Sequence, residues 1–313
     1  MATEKNLAAV AVKKGELQLI VKSVPEPGPG EVLLSMRQVG ICGSDVKFLY
    51  VGAIGPYVVR YPFLLGHECS GVVAKLGKGV THLKVGDRVA LEPGVVCGRC
   101  EDCKSGRYNL CPHITFLATP PDDGALARYH VLPDNVSFEE GACIEPLSVG
   151  LHSCRRANVT LGKKVLVCGA GPVGLCALVM AKALGASKLI ITDLVESRLE
   201  LAKKMGATHT LKIESSDPEA VAQQVREQLG AMPECAVECS GAQFSVHMAI
   251  LVPLCEVVVR EIEVRGSLRY MHTWPACIEM LRTGKVDIKP MITHYFTLEQ
   301  AAEAFEFAKS GRG

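Results

Sequence analysis

The 313 residues carry 34 Lys and Arg against 33 Asp and Glu, a formal net charge of +1, with 48% hydrophobic and 21% charged residues. That balance excludes the basic face of a nucleic-acid binder and a polybasic membrane surface, and no apolar run approaches a bilayer span. The length allows two domains with their own cores. The 14 cysteines read as metal ligands and buried small hydrophobes of a reducing compartment, and the opening MATEKNLAAVAVKK lacks a signal peptide's long apolar core, so the expected location is cytoplasmic.

Residues 1–146 are rich in Gly, Pro and β-branched residues. Glu31–Met36 and Gly71–Leu76 read as short strands bounded by turn signals at Pro27-Gly28-Pro29-Gly30 and Gly77-Lys78-Gly79. Val85-Gly86-Asp87 places a turn before another strand. An irregular, mostly β domain is expected, with a cysteine loop as an excursion from it. In that loop Cys97, Cys100, Cys103 and Cys111 form C-x2-C-x2-C-x7-C, a spacing that lets four thiolates close a tetrahedron around Zn²⁺. Disulfides fit poorly in a reducing compartment, and an iron–sulfur cluster is the alternative. A site filled by four thiolates has no open position, so this metal is structural and the chemistry lies elsewhere. Other ligand types gather at Gly40-Ile41-Cys42-Gly43-Ser44-Asp45, at Gly66-His67-Glu68-Cys69 and at Glu145-Pro146-Leu147-Ser148. One thiolate, one imidazole, one or two carboxylates and a water compose a catalytic zinc site with an open position. Taken singly, each of these residues is more ordinary: a packed cysteine, a solvated Glu.

From residue 147 the texture changes to alternating strands and helices. Strands are predicted at Lys164–Cys168, Lys188–Thr192, Thr208–Ile213 and Ala236–Cys239, and helices at Val173–Leu184, Glu196–Met205 and Pro218–Leu229. This alternation implies a doubly wound parallel sheet covered on both faces. Gly169-Ala170-Gly171-Pro172-Val173-Gly174 is a G-x-G-x-x-G that follows a strand and opens a helix, and Asp193 ends the next strand. In that context the glycines serve a tight turn, close approach of backbone N–H groups to a pyrophosphate, and close helix–strand packing. A glycine-rich turn without ligand is the plainer reading. Asp193 is suited to accept from both ribose hydroxyls and repels a 2′-phosphate, which favours NAD over NADP. Arg198 stands either beside the adenine or as a solvated helix charge.

The G-H-E-x-x-G at Gly66–Gly71, the G-I-C-G-S-D run, the four-cysteine lobe, E-P-L-S-V-G at Glu145–Gly150 and the glycine fingerprint together resemble the zinc-dependent medium-chain dehydrogenase/reductase family. The segments Ala118–Gly124, Leu132–Val136 and Arg269-Tyr270 resemble its sorbitol (polyol) dehydrogenase branch. The resemblance implies an α/β protein with a GroES-like, mostly β catalytic domain at 1–146, completed by 267–313, and a Rossmann NAD-binding domain at 147–266. It implies Cys42, His67 and Glu68 as catalytic zinc ligands, with Glu145 binding the metal or its water, and Cys97, Cys100, Cys103 and Cys111 as structural zinc ligands. Gly169, Gly171, Val173, Gly174, Asp193, Arg198 and Arg269 match cofactor contacts, and Phe48, Glu145, Arg269 and Tyr270 match substrate contacts. The implied chemistry is NAD-linked oxidation of a polyol to a ketose. Ser44 is placed either to relay the proton outward or to cap a helix. A homotetramer is also implied.

Departures from the family accompany the likeness. Lys47 and Phe48 stand where the polyol branch commonly has His and Tyr, so one hydroxyl is missing near the substrate. A short stretch holding a strand is absent between Tyr129 and Leu132. A longer one, carrying a buried strand and a loop beside the nicotinamide, is absent between Ile250 and Leu251. The chain stops at Gly313, short of the family's last strand. The dinucleotide sheet is therefore expected to be a strand short, with Val257–Leu268 available for pairing at a subunit interface. Two other readings stand beside the polyol enzyme: a zinc alcohol dehydrogenase for a secondary alcohol or a threonine-type substrate, and a catalytically silent zinc-binding variant.

Overall fold

The computed structural model describes residues 6–123, 128–250 and 261–311, with the side chains of 128–131, His247 and Ile250 outside the described set. The chain divides into two compact units, 1–145 with 293–313 and 146–292. The return to the first unit was expected at residue 267 and falls instead at Thr293. Residues 265–272 stay with the second unit because side chains of the helix Ile144–Arg156 hydrogen-bond to them and Arg265 donates to the carbonyl of Arg156.

In the first unit, an antiparallel sheet has the order Arg128–Val131, Arg88–Glu92, Glu68–Leu76, Val32–Gly40. A strand is thus present where the family's short stretch was expected to be lost. A second antiparallel sheet joins Glu16–Lys22, Asn6–Lys13 and Phe63–Leu64. Alternation sends Val73 and Val89 inward against Val32 and Leu83, the period of two that a half-buried sheet requires. The pairing that matters most for chemistry is Gly40 opposite Glu68. It sets the chain leaving one strand, Ile41-Cys42, beside the chain entering the other, Gly66-His67.

The second unit carries a parallel sheet in the order His209–Lys212, Lys188–Asp193, Lys164–Cys168, Cys235–Glu238. Spatially this is third, second, first, fourth, the first half of a doubly wound fold and the beginning of its second. The two inner strands are buried almost throughout, which is why their sequences KVLVC and KLIITD are nearly unbroken apolar runs. The helix Pro172–Ala183 starts on a proline, where no N–H is needed, and is buried on most sides. Pro218–Leu229 is capped by Asp217, which accepts from Glu219 N–H at 3.0 Å, and seats Val221, Val225 and Leu229 against Leu166 and Ile190.

Strand Cys235–Glu238 is an edge of this sheet among the described residues. Residues 251–260 lie outside the described set, including the first part of the predicted Val257–Leu268 strand; its remainder, 261–268, forms no strand.

Ile190 is fully buried in this sheet. Ile190→Ala is expected to lower unfolding free energy by about 2–5 kcal/mol through lost burial and the cavity left behind, measured by urea titration of the zinc-loaded chain.

Candidate metal centre and nucleotide cleft

The first unit brings Cys42, His67 and Glu68 together: one ligand atom from each lies within 4.8 Å of the others. The carboxylate of Glu68 occupies the space over Gly40. A Cβ at Gly40 would stand 2.2 Å from Glu68 Oε2, so the absent side chain is what leaves room for the acid.

Asp45, fully buried, ties the loops to each other. Its Oδ2 accepts the N–H of Cys42 at 3.0 Å and its Oδ1 accepts the N–H of Gly66 at 3.1 Å. Oδ1 also lies 3.4 Å from Nδ1 of His67. An imidazole held this way at Nδ1 presents Nε2 to a cation, the arrangement in which a carboxylate orients a ligating histidine. Its place in the G-I-C-G-S-D run does not by itself announce this role. The three-residue interval from Cys42 to Asp45 at the start of Gly43–Tyr50 was the available signal, since it is capping-box spacing.

The electrostatics suit a cation. Burial and the neighbouring Glu145 carboxylate push Glu68 up to about 8. Burial works against the charged form of His67, yet the Asp45 carboxylate and contacts with Cys42 raise it well above its ordinary value. Burial and Glu68 raise the Cys42 thiol. A divalent ion would reverse these penalties by replacing the protons. Glu145, 5% exposed, acts on both His67 and Glu68 but is not part of the mutually close set. That placement, close to the set but outside it, is compatible with the matched role of an acid that binds the metal or its water.

Other expected residues fall as follows. Ser44 lies half-buried in the first turn of Gly43–Tyr50, where the N-cap is Cys42 and the N3 acid is Asp45, so it is not the cap. Phe48 is 4% exposed and packs edge-on to Phe63 at 6.1 Å, with Val59 beside them. It is a core residue, because its side of the helix faces the apolar cluster. Phe116, missed in the sequence, sets its ring 6.0 Å from that of His67 and forms an apolar wall next to the ligand.

The cysteine lobe brings its four sulfurs within 4.8 Å of one another. Cys97 Sγ stands 4.0 Å from that of Cys103 and 3.6 Å from that of Cys111. A tetrahedron with Zn–S of about 2.3 Å spaces its sulfurs by about 3.8 Å, whereas a disulfide needs about 2.05 Å. Thiolates of a cluster bind different irons and stand farther apart, so the packing fits a single ion. Backbone N–H groups of Arg99 and Cys100 pull Cys97 down to about 6, giving a ready first thiolate. Burial and Cys100 push Cys103 up to about 12.

In the second unit a cleft of about 580 Å³ is lined by Gly169, Gly171, Asp193, Arg198 and Ser240 among others. Gly171 leaves open space above the first turn of Pro172–Ala183, while a Cβ at Gly174 would stand 1.8 Å from the carbonyl oxygen of Gly169. The first glycine thus gives access and the second close packing. Asp193 accepts Ala170 N–H at 2.7 Å through Oδ2 and Val195 N–H at 2.9 Å through Oδ1. A carboxylate has about four lone-pair sites, so acceptor capacity remains for two ribose hydroxyls. Val173 is half-buried on the opening turn of the helix. Arg269 and Tyr270 also belong to this unit, Arg269 with a left-handed backbone at φ 51° and Tyr270 3% exposed.

The alcohol dehydrogenase GroES-like domain matches residues 28–139, and the zinc-binding dehydrogenase domain matches residues 172–253. Sorbitol dehydrogenase of Gallus gallus is 50% identical over 339 aligned positions, covering 100% of this chain and 96% of that protein. The chain belongs to the zinc-dependent medium-chain dehydrogenase family. Among solved structures, an Escherichia coli oxidoreductase of unknown specificity is 35% identical, with a TM-score of 0.87 and coverage of 98% and 96%. An Escherichia coli alcohol dehydrogenase complexed with NADH is 25% identical, also at TM-score 0.87, with coverage of 97% and 95%. Zinc and NAD are the cofactors of this chain, and the donor sets described above fit both. The 339 aligned positions exceed the chain's 313 residues by 26, so at least that many positions of the avian relative have no counterpart here. This agrees with the two absent stretches read from the sequence. No helix among the described residues is long and apolar enough to cross a membrane.

Two outcomes test the metal centre. Gly40→Ala meets Glu68 most closely, its Oε2 at 2.2 Å and its Cβ at 3.1 Å, so it is expected to displace that carboxylate, reducing zinc from two to about one per chain by metal analysis. Metal-free Glu68 keeps its proton up to about pH 8, so zinc entering below that pH must displace it. Zinc affinity is therefore expected to rise with pH from 6 to 8 and to go on rising above pH 8 as the raised Cys42 thiol gives up its proton, and Glu68→Gln to make the rise between pH 6 and 8 shallower, both measured by chelator competition.

Proposed function

We propose that this chain oxidises a polyol of the sorbitol or xylitol kind to its ketose, with NAD as hydride acceptor. The observation that carries the reading is the contrast between its two donor sets. Four thiolates fill one tetrahedron, whereas Cys42, His67 and Glu68 supply three ligands and leave a position open for chemistry. Zinc there supplies Lewis-acid polarisation of the substrate hydroxyl, and NAD accepts the hydride.

The protein's own groups divide the remaining work. Cys42, His67 and Glu68 hold the metal, and Asp45 keeps His67 in the orientation that does so. Glu145, buried beside Glu68, holds water or a substrate hydroxyl, and Ser44 relays the proton outward. As the carbinol C–H bond breaks, its electron pair leaves as hydride to the nicotinamide and the O–H proton passes to solvent, leaving a carbonyl. Asp193 takes the ribose hydroxyls, and Arg198 lines the same cleft. Arg269 and Tyr270 meet the distal hydroxyls and the nicotinamide side. Phe48, packed in the core and lacking a hydroxyl, removes one polar contact found in the branch, which relaxes selectivity among polyols.

The same reading includes a cytoplasmic location and a homo-oligomer, a tetramer by family likeness. A silent zinc-binding variant is the second reading, favoured by the 26 or more positions absent relative to the avian enzyme.

Steady-state assays with NAD and sorbitol, xylitol, threonine and simple secondary alcohols decide between them. Turnover of a polyol that falls at least about a hundredfold in Cys42→Ala is the expected result. Turnover of threonine or a simple alcohol alone would replace the substrate class, and NADH binding without any turnover would leave the silent variant.

A further inference from the structure

Residues 261–273 form neither helix nor strand, yet they hold three non-glycine residues in the left-handed region, Glu261 at φ 48°, Arg269 at φ 51° and His272 at φ 52°. Side chains with a Cβ take that conformation rarely, and it persists where surrounding contacts over-determine it. Four contacts with this segment come from one helix, Ile144–Arg156. Ser153 and Ser267 hydroxyls lie 3.3 Å apart, Arg156 Nε donates to the carbonyl of Gly266 at 3.1 Å, and Arg265 Nη1 donates to the carbonyl of Arg156 at 3.2 Å. These three hold the approach to the turn.

The fourth contact holds the turn itself. Arg155 Nη1 donates to the carbonyl of His272 at 2.8 Å. His272 is one of the two left-handed residues of the turn 269–272, and its carbonyl lies just beyond Tyr270. Tyr270 in turn packs edge-on to Trp274, with ring centroids 6.1 Å apart at 63°. Trp274 opens the helix Trp274–Arg282, which is anchored separately by Ser148 donating to Cys277 at 3.6 Å. Arg155 is thus an exposed side chain whose removal takes nothing from the apolar core but releases the backbone that aims Arg269 and Tyr270.

We propose that Arg155 is a positioning residue for the oxidation: its charge-assisted bond to the His272 carbonyl fixes the left-handed turn 269–272 and so sets the direction of the Arg269 and Tyr270 side chains. This rests on the reading that those two residues meet the polyol and the nicotinamide. A lysine at 155 would keep the charge but offer a point donor in place of the planar guanidinium, and would restore the bond only in part.

Trp274 is the chain's single tryptophan and is 1% exposed, so it reports on this turn whether or not the protein turns over. The zinc-loaded full chain is compared with Arg155→Ala, Arg155→Lys and Arg156→Ala by acrylamide quenching of Trp274, NADH titration, and KM and kcat for sorbitol. Arg155→Ala is expected to raise the quenching constant about threefold or more and the sorbitol KM about tenfold, to weaken NADH binding by a smaller factor through Arg269, and to change kcat less than about threefold. Arg155→Lys should fall between Arg155→Ala and the unaltered chain, and Arg156→Ala should move Trp274 less. Unchanged quenching in Arg155→Ala, or equal effects from both alanine variants, overturns the proposal. If the unaltered chain does not oxidise sorbitol, the functional reading fails, while the quenching comparison still decides whether Arg155 holds the turn.

Discussion

The buried carboxylate of Asp45 is the constraint on which the metal centre depends. A fully buried acid is tolerable only when its oxygens are used, and here they take the N–H of Cys42, the N–H of Gly66 and the Nδ1 side of His67. Those partners lie on two loops leaving opposite strands of one antiparallel pair. The register that sets Gly40 against Glu68 brings the loops near each other. Asp45 then fixes their spacing and the angle of the imidazole. Burial and the close approach of these groups are what make the charged forms of Glu68 and Cys42 costly. Glu68 and Cys42 are held in place with their protons on, and the ion exchanges those protons for a charge the site already accommodates.

The two metal sites use opposite strategies. The cysteine lobe is local: its four ligands fall within one excursion of chain, backbone N–H groups bond Cys97 and Cys100 sulfurs at 3.4 Å, and the sequence spacing alone nearly specifies the geometry. The catalytic set is non-local, drawn from separate strand ends, and has one acid, Glu145, near the metal but outside its immediate ligands. Locality suits a site whose task is to fold. Separation suits a site that must keep a coordination position open, because no single loop can crowd it.

This difference explains what was legible in the sequence. The lobe could be read from cysteine intervals, and the parallel sheet from apolar runs whose strands and helices match within a residue or two. Glu196–Met205 and Pro218–Leu229 were predicted with their observed bounds, since caps and periodicity are local signals. The convergence of Cys42 with His67 and Glu68 followed from family likeness, because antiparallel register is a long-range property that spacing does not encode. Asp45, Gly40 and Phe116 went unassigned for the same reason: each matters through a neighbour remote in sequence. Phe48, matched to a family position, packs with Val59 and Phe63, a contact that sequence spacing did not announce. The domain return at residue 267 failed because hydrogen bonds from Ser153, Arg155 and Arg156 keep that segment with the second unit.

The dinucleotide sheet separates two tasks that a complete doubly wound fold performs together. The features that recognise the adenosine side are the glycine turn, the opening of Pro172–Ala183, Asp193 and Arg198. All four belong to the first three strands and their crossovers, whose inner strands are covered on both faces. Strand Cys235–Glu238 differs: Cys235 and Val237 are buried while Ala236 between them is exposed, so one of its faces lacks the cover its neighbours have. The longer of the two stretches read as absent, between Ile250 and Leu251, would follow this strand, on the side that faces the nicotinamide in a doubly wound fold. Grip on the cofactor therefore rests on the half that is built in full, and alignment of its reactive ring on contacts beyond it. In such a chain NAD affinity and hydride-transfer rate are set by different segments, so a change in one need not be mirrored in the other.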